Sequence, residues 1–238
     1  MDRRKFSVSL ILLTGCASTG AVPLGPTPET VEPTDGTEPA PLGDPNIDGA
    51  VSQNSSANRE TITVPMSLYV VLDAADPQGS VLSSRRTEAD LQVIAGNMRE
   101  VWSQADVDFD PINIQTIEAT TAAIEPIAIG LDTGPFFNGA GSDFDVPSPS
   151  AINGFYVRTA GRVNGFAPTG SGVFFVVDEP SVNDERVSSH EVGHLFALHH
   201  DLQDAGTLMF SGTNGTVLSE EEQLVARYAA QGILDGAR

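Results

Sequence analysis

Apolar residues occupy every second position from Ile62 to Leu72, at Ile62, Val64, Met66, Leu68, Val70 and Leu72. That alternation predicts a strand with one face turned to a core. Pro65 cannot donate to a ladder, so the strand is expected to start late. From Leu91 the period changes. Leu91, Ile94, Ala95, Met98, Val101, Trp102 and Ala105 recur at helical spacing, with Thr87 and Asp90 ahead of them as a capping pair, which predicts one long amphipathic helix. Val107 to Ile117 reads as a second strand with a bulge at Pro111. Gly, Pro, Asn and Asp are dense between 120 and 150, and a long irregular loop is expected there. Gly154 to Arg158, Val163 to Ala167 and Val173 to Val177 predict three short strands, the last apolar throughout, as in a strand covered on both faces. A second helix should run from about Asp184 to Ala197. The last one opens at Ser219 with Glu222 as its capping partner and is expected to turn Leu224, Val225, Tyr228 and Ile233 inward. Strands and helices in this order predict an α/β domain with a mostly parallel, twisted sheet.

The 238 residues suffice for one such domain, at residues 61–238, plus tails. Residues 16–60 carry Pro23, Pro26, Pro28, Pro33, Pro39, Pro41 and Pro45 among Thr, Glu, Gly and Asp. With almost no large apolar side chain to bury, this stretch is expected to be a disordered, extended tether. Residues 1–15 begin with Arg3, Arg4 and Lys5, continue with the apolar run Phe6 to Leu13 and lead to Leu13-Thr14-Gly15-Cys16. The apolar run is too short to span a bilayer and reads as an export signal. The segment resembles a bacterial lipoprotein signal, which implies lipid attachment at Cys16 and a location outside the cytoplasm, anchored to a membrane. Ala17 resembles the residue of lipoproteins sorted to an outer membrane, where the source has one.

The net charge of −20 makes nucleic acid a poor partner. Cys16 is the only cysteine, so the domain must stand without an internal disulfide. It is read as a monomer.

The candidate chemistry lies in His190-Glu191-Val192-Gly193-His194-Leu195-Phe196-Ala197-Leu198-His199-His200-Asp201. Histidines four apart on a helix lie one above the other, so His190 and His194 can present nitrogens to one ion. Glu191 sits a further 100° or so round the turn, near the open coordination position. On a continued helix His200 would point elsewhere; a turn near Ala197 would swing it back to the metal. Three imidazoles and a free fourth position form the layout of a catalytic zinc, at which Glu191 would act as general base toward a bound water attacking a peptide carbonyl.

With the third histidine in place the sequence resembles the metzincin clan of zinc endopeptidases, whose signature is His-Glu-x-x-His-x-x-Gly-x-x-His followed by a methionine turn. Gly206, Thr207, Leu208 and Met209 stand where that turn belongs. The run from Asp204 to Met209 is similar to the matrixins, and Asn164-Gly165-Phe166-Ala167 to the pappalysin branch. The resemblance implies a zincin domain whose sheet has an antiparallel edge strand along which the protein or peptide substrate lies. It also implies metal ligands His190, His194 and His200, and Met209 as a floor beneath the metal that does not bind it. Two departures stand out. Ala197 replaces the glycine of the signature, and Ser211 stands where some branches carry a tyrosine ligand.

All four histidines fall within eleven residues, leaving no imidazoles for a second zinc. Asp132, Asp143 and Asp145 could offer carboxylates to a calcium ion, although a solvated acidic loop is the preferred reading. Two other readings stay open: a metal-binding surface lipoprotein without peptidase activity, and an enzyme of another clan with Glu222 as third ligand in place of His200.

Overall fold

The computed structural model describes residues 59–138 and 150–236. Cys16, the expected tether, Asp143 and Asp145 lie outside the described residues. In chain order the elements are β1 (Ile62–Asp73), α1 (Glu88–Trp102), β2 (Val107–Ala119), α2 (Thr121–Gly130), α3 (Gly134–Asn138), β3 (Ile152–Val157), β4 (Gly165–Phe166), β5 (Val173–Val177), α4 (Asp184–Leu195) and α5 (Glu220–Leu234). The strands form one sheet in the order β2-β1-β3-β5-β4. All pairs are parallel except β4 with β5, so the expected mostly parallel sheet with an antiparallel edge strand is what the chain forms. No helix among the described residues is long and apolar enough to cross a membrane.

Side chains alternate across the sheet, and both faces are buried. Val64, Met66, Leu68 and Val70 of β1 join Tyr156, Phe174 and Val176 in a core shared with α1, α4 and α5. Tyr69 and Val71 join Phe155, Val157, Phe175 and Val177 in a second core, covered by Ala123, Ile124 and Ile127 of α2 and by Phe136 of α3. The irregular loop expected over 120–150 is therefore wrong for its first part, where two helices span Thr121–Gly130 and Gly134–Asn138. Their apolar side chains have a sheet face to cover, and that tertiary gain outweighs the helix-breaking Pro126.

β1 also starts at Ile62, earlier than Pro65 suggested. Val64 pairs with Phe109 but Met66 with Ile112, so β2 carries one extra residue at Asp110–Pro111, the expected bulge. Pro65 faces this gap, and β3 joins β1 only from Met66, so its missing donor removes no ladder bond. The strand expected over Val163–Ala167 is confined to Gly165–Phe166.

The capping boxes of α1 and α5 form as read. The inward face of α5 forms only in part, at Ile233. Ala226, Ala230 and Ile233 are buried, whereas Leu224 is 54%, Val225 38% and Tyr228 85% exposed. Small residues at 226 and 230 let the helix approach the sheet closely, and this puts the larger apolar side chains on the outer face.

Candidate metal centre

Arg86 fixes the start of α4. Its guanidinium forks onto both Asp184 carboxylate oxygens at 2.9 and 2.7 Å and also donates to the carbonyls of Val177 and Asp178 at the end of β5. The helix is then buried continuously from Arg186 to Gly193. It ends in a reverse turn in which Ala197 N–H donates to His194 O at 3.1 Å and Leu198 N–H to Gly193 O at 2.9 Å. This is the bond pair of a Schellman cap. Ala197 holds the left-handed position of that cap, with φ 62°, where glycine is usual and any side chain is strained.

The turn returns His200 to the helix. Its Nε2 lies 3.2 Å from His190 Nε2 and 3.1 Å from His194 Nε2. Among the described residues this is the one trio of His, Cys, Asp or Glu side chains placed to share an ion, its ligand atoms all within 4.8 Å of one another. Backbone carbonyls set the rings: His190 Nδ1 donates to Leu208 O at 2.8 Å and His194 Nδ1 to Leu198 O at 3.0 Å. A carbonyl can only accept, so these bonds put the proton on Nδ1 and leave the Nε2 lone pairs facing one another. A proton on His200 Nε2 could satisfy only one of them. Burial, reinforced by the positive charge of Arg186 and by the neighbouring imidazoles, pushes His190 down to about 3, against the opposing Leu208 bond. Burial likewise lowers His194 to about 4 and also lowers His200, so the rings are neutral near pH 7.

Two fixed lone pairs meeting a third neutral imidazole nitrogen form a set that suits a cation. Ligand nitrogens ~2.0–2.1 Å from a tetrahedral zinc stand roughly 3.3–3.4 Å apart, close to the two separations from His200 Nε2. The residues present therefore fit such an ion.

Glu191 is buried, and its Oε2 has no hydrogen-bond partner. Burial pushes its carboxyl up to about 8, tempered by the charge of Arg186. The carboxylate lies against β4, where a Cβ added to Gly165 would meet Glu191 Oε1 at 2.9 Å. Gly193 plays a similar part below the helix. A Cβ there would meet Met209 Sδ at 2.5 Å, so the missing side chain lets the buried Met209 pack directly against α4 at Gly193.

Other expectations fare differently. Glu222 is not a ligand, because its carboxylate accepts from Ser219 N and Oγ at 2.8 and 2.9 Å as the α5 cap, and the third position of the trio belongs to His200. Asp132 accepts from Gly134 N and joins no metal-holding cluster among the described residues. His199 is exposed and outside the trio, at a cleft shared with Ala167, Pro168 and His194. The orienting carbonyls of Leu208 and Leu198 could not be read from side-chain identity. Arg186 could have been noticed, since it precedes His190 by the same four residues that separate His190 from His194.

No family model matches the chain, and no curated protein does. Among solved structures it is similar to archaemetzincin from Methanopyrus kandleri, with 13% identity, 71% of this chain and 96% of that one covered, and a TM-score of 0.46. It is also similar to metalloproteinase-II from Bacteroides fragilis, with 13% identity, 72% and 54% covered, and a TM-score of 0.45. The chain thus spans about half the length of the latter.

Proposed function

We propose that the protein is a zinc-dependent endopeptidase in which His190, His194 and His200 hold the metal and Glu191 is the general base. The observation that carries this is the convergence of three neutral imidazole nitrogens beside a buried carboxylate oxygen with no partner of its own. When bound, zinc would acidify a water molecule toward a pKa of ~7, polarise the scissile carbonyl and draw Glu191 toward its ionised form. Glu191 would take the proton from the attacking water and pass it to the leaving amine. β4 stands at the edge of the sheet. Its backbone can accept an extended peptide as an added strand, which would carry the scissile bond past Glu191.

Zinc content and cleavage of casein or a peptide library test the reading. Glu191→Ala should keep its zinc and lose cleavage by on the order of 100-fold or more, while His200→Ala should lose most of its zinc. Stoichiometric zinc in the wild type with no turnover on a broad library would replace the peptidase by a metal-binding protein. The proposal extends to location: Cys16, in a segment that resembles a lipoprotein signal, would carry the lipid that anchors the protein outside the cytoplasm. Lipid labelling should vanish in Cys16→Ala, and unchanged labelling would remove the anchor.

A further inference from the structure

Arg186 lies one helical turn before His190, so Arg186, His190 and His194 share a face of α4. It is only 3% exposed, and a guanidinium withdrawn from water must be met by acceptors. Those acceptors are backbone carbonyls. Nη2 donates to Leu208 O at 2.8 Å and to Phe210 O, and Nε reaches Gly215 O at 3.4 Å. Leu208 O is also the acceptor for His190 Nδ1. Between the two clamped carbonyls, Met209 O accepts from the N–H of Asp201 at 3.0 Å, the residue after His200. Three consecutive carbonyls of the methionine turn are thus each tied to a group on or beside the trio.

From this arrangement we infer that Arg186 is a positioning residue of the metal centre. It rests on the reading that the trio holds a metal. Arg186 fixes the carbonyl that keeps the His190 proton on Nδ1, leaving Nε2 for the ion. By pinning residues 208–210 it also seats Asp201, and with it His200. Nη2 serves the carbonyls on both sides of Met209 while Nε, fixed in the same plane, reaches Gly215 O; lysine carries its donors on one atom of a flexible stem and cannot hold both directions at once.

The test uses the full chain with Arg186→Met and Arg186→Lys. Arg227→Met is the control, because Arg227 donates to the carbonyls of Glu60, Ala105 and Asp106 in the same fashion, away from the trio. Loss of an orienting contact should weaken zinc binding on the order of 10-fold or more in both Arg186 variants, while Arg227→Met loses stability and keeps wild-type affinity. In metal-free protein, ring 15N shifts of His190 should report the Nδ1–H form in the wild type and a mixture of tautomers in Arg186→Met. Should Arg186→Met not fold, Arg186→Lys carries both comparisons. Wild-type zinc affinity together with an unchanged His190 tautomer in the folded variants would overturn the inference. The tautomer needs no metal, so a wild type that bound no zinc would end the proposed function while Arg186 could still be judged.

Discussion

At Ala197 and Gly193 a single methyl group matters in opposite ways: one is held under strain, and the other would have no room. Ala197 bears a Cβ in a left-handed conformation, which is disfavoured by roughly 1–2 kcal/mol. The strain persists because the two cap bonds and the packing of Leu198 determine the turn. Ala197→Gly should therefore stabilise the protein by about 1 kcal/mol, read as a higher midpoint in urea, with zinc affinity unchanged; a lower midpoint would contradict the account of the turn. At this scale the trio that could hold a metal was legible. The histidine spacing specified the trio, because a helix followed by a reversal at 197 has few ways to place a residue at 200. What remained hidden were backbone acceptors and the glycines at 165 and 193, whose contribution is the space they leave.

Periodicity placed most elements, but it did not choose between faces. In α5 side-chain size points inward with Leu224, Val225, Tyr228 and Ile233, yet of these only Ile233 is buried, beside Ala226 and Ala230. Close approach to the sheet decides for the small residues. Ile233→Ala should then cost about 2–4 kcal/mol, whereas Tyr228→Ser should stay within roughly 0.5 kcal/mol of wild type; denaturant titration of both distinguishes the two faces. α2 went unread for a related reason. Its Pro126 and the glycines that follow resemble loop composition, while the need for it was written elsewhere, in β5, whose unbroken apolar run already required cover on both faces.

Across the whole domain, Asp73 joins parts that are distant in sequence. Its carboxylate, at the end of β1, accepts from Ser80 Oγ at 2.7 Å, Thr121 Oγ1 at 2.8 Å and Ala75 N at 3.1 Å, linking the strand to the loop after it and to the start of α2. The Ser80 bond holds the Asp73 carboxyl below its ordinary 3.8; burial opposes this, and the Thr121 and Ala75 bonds add to it. A pKa lowered by folding adds stability that is present above the unfolded value and is lost as pH falls through the folded one. The stability gap between wild type and Asp73→Asn should therefore be widest near pH ~6 and shrink as the pH falls from the ordinary value of 3.8 through the lower folded one, as followed by urea unfolding. β1 itself, the first strand among the described residues, sits between β2 and β3. Met66 waits for Ile152, and the helix that packs over it begins only at Glu220. Such late partners imply slow, high-contact-order folding, in which β1 can pair early with β2 but keeps its other edge bare until β3 has been made, and lacks its covering α5 for longer still.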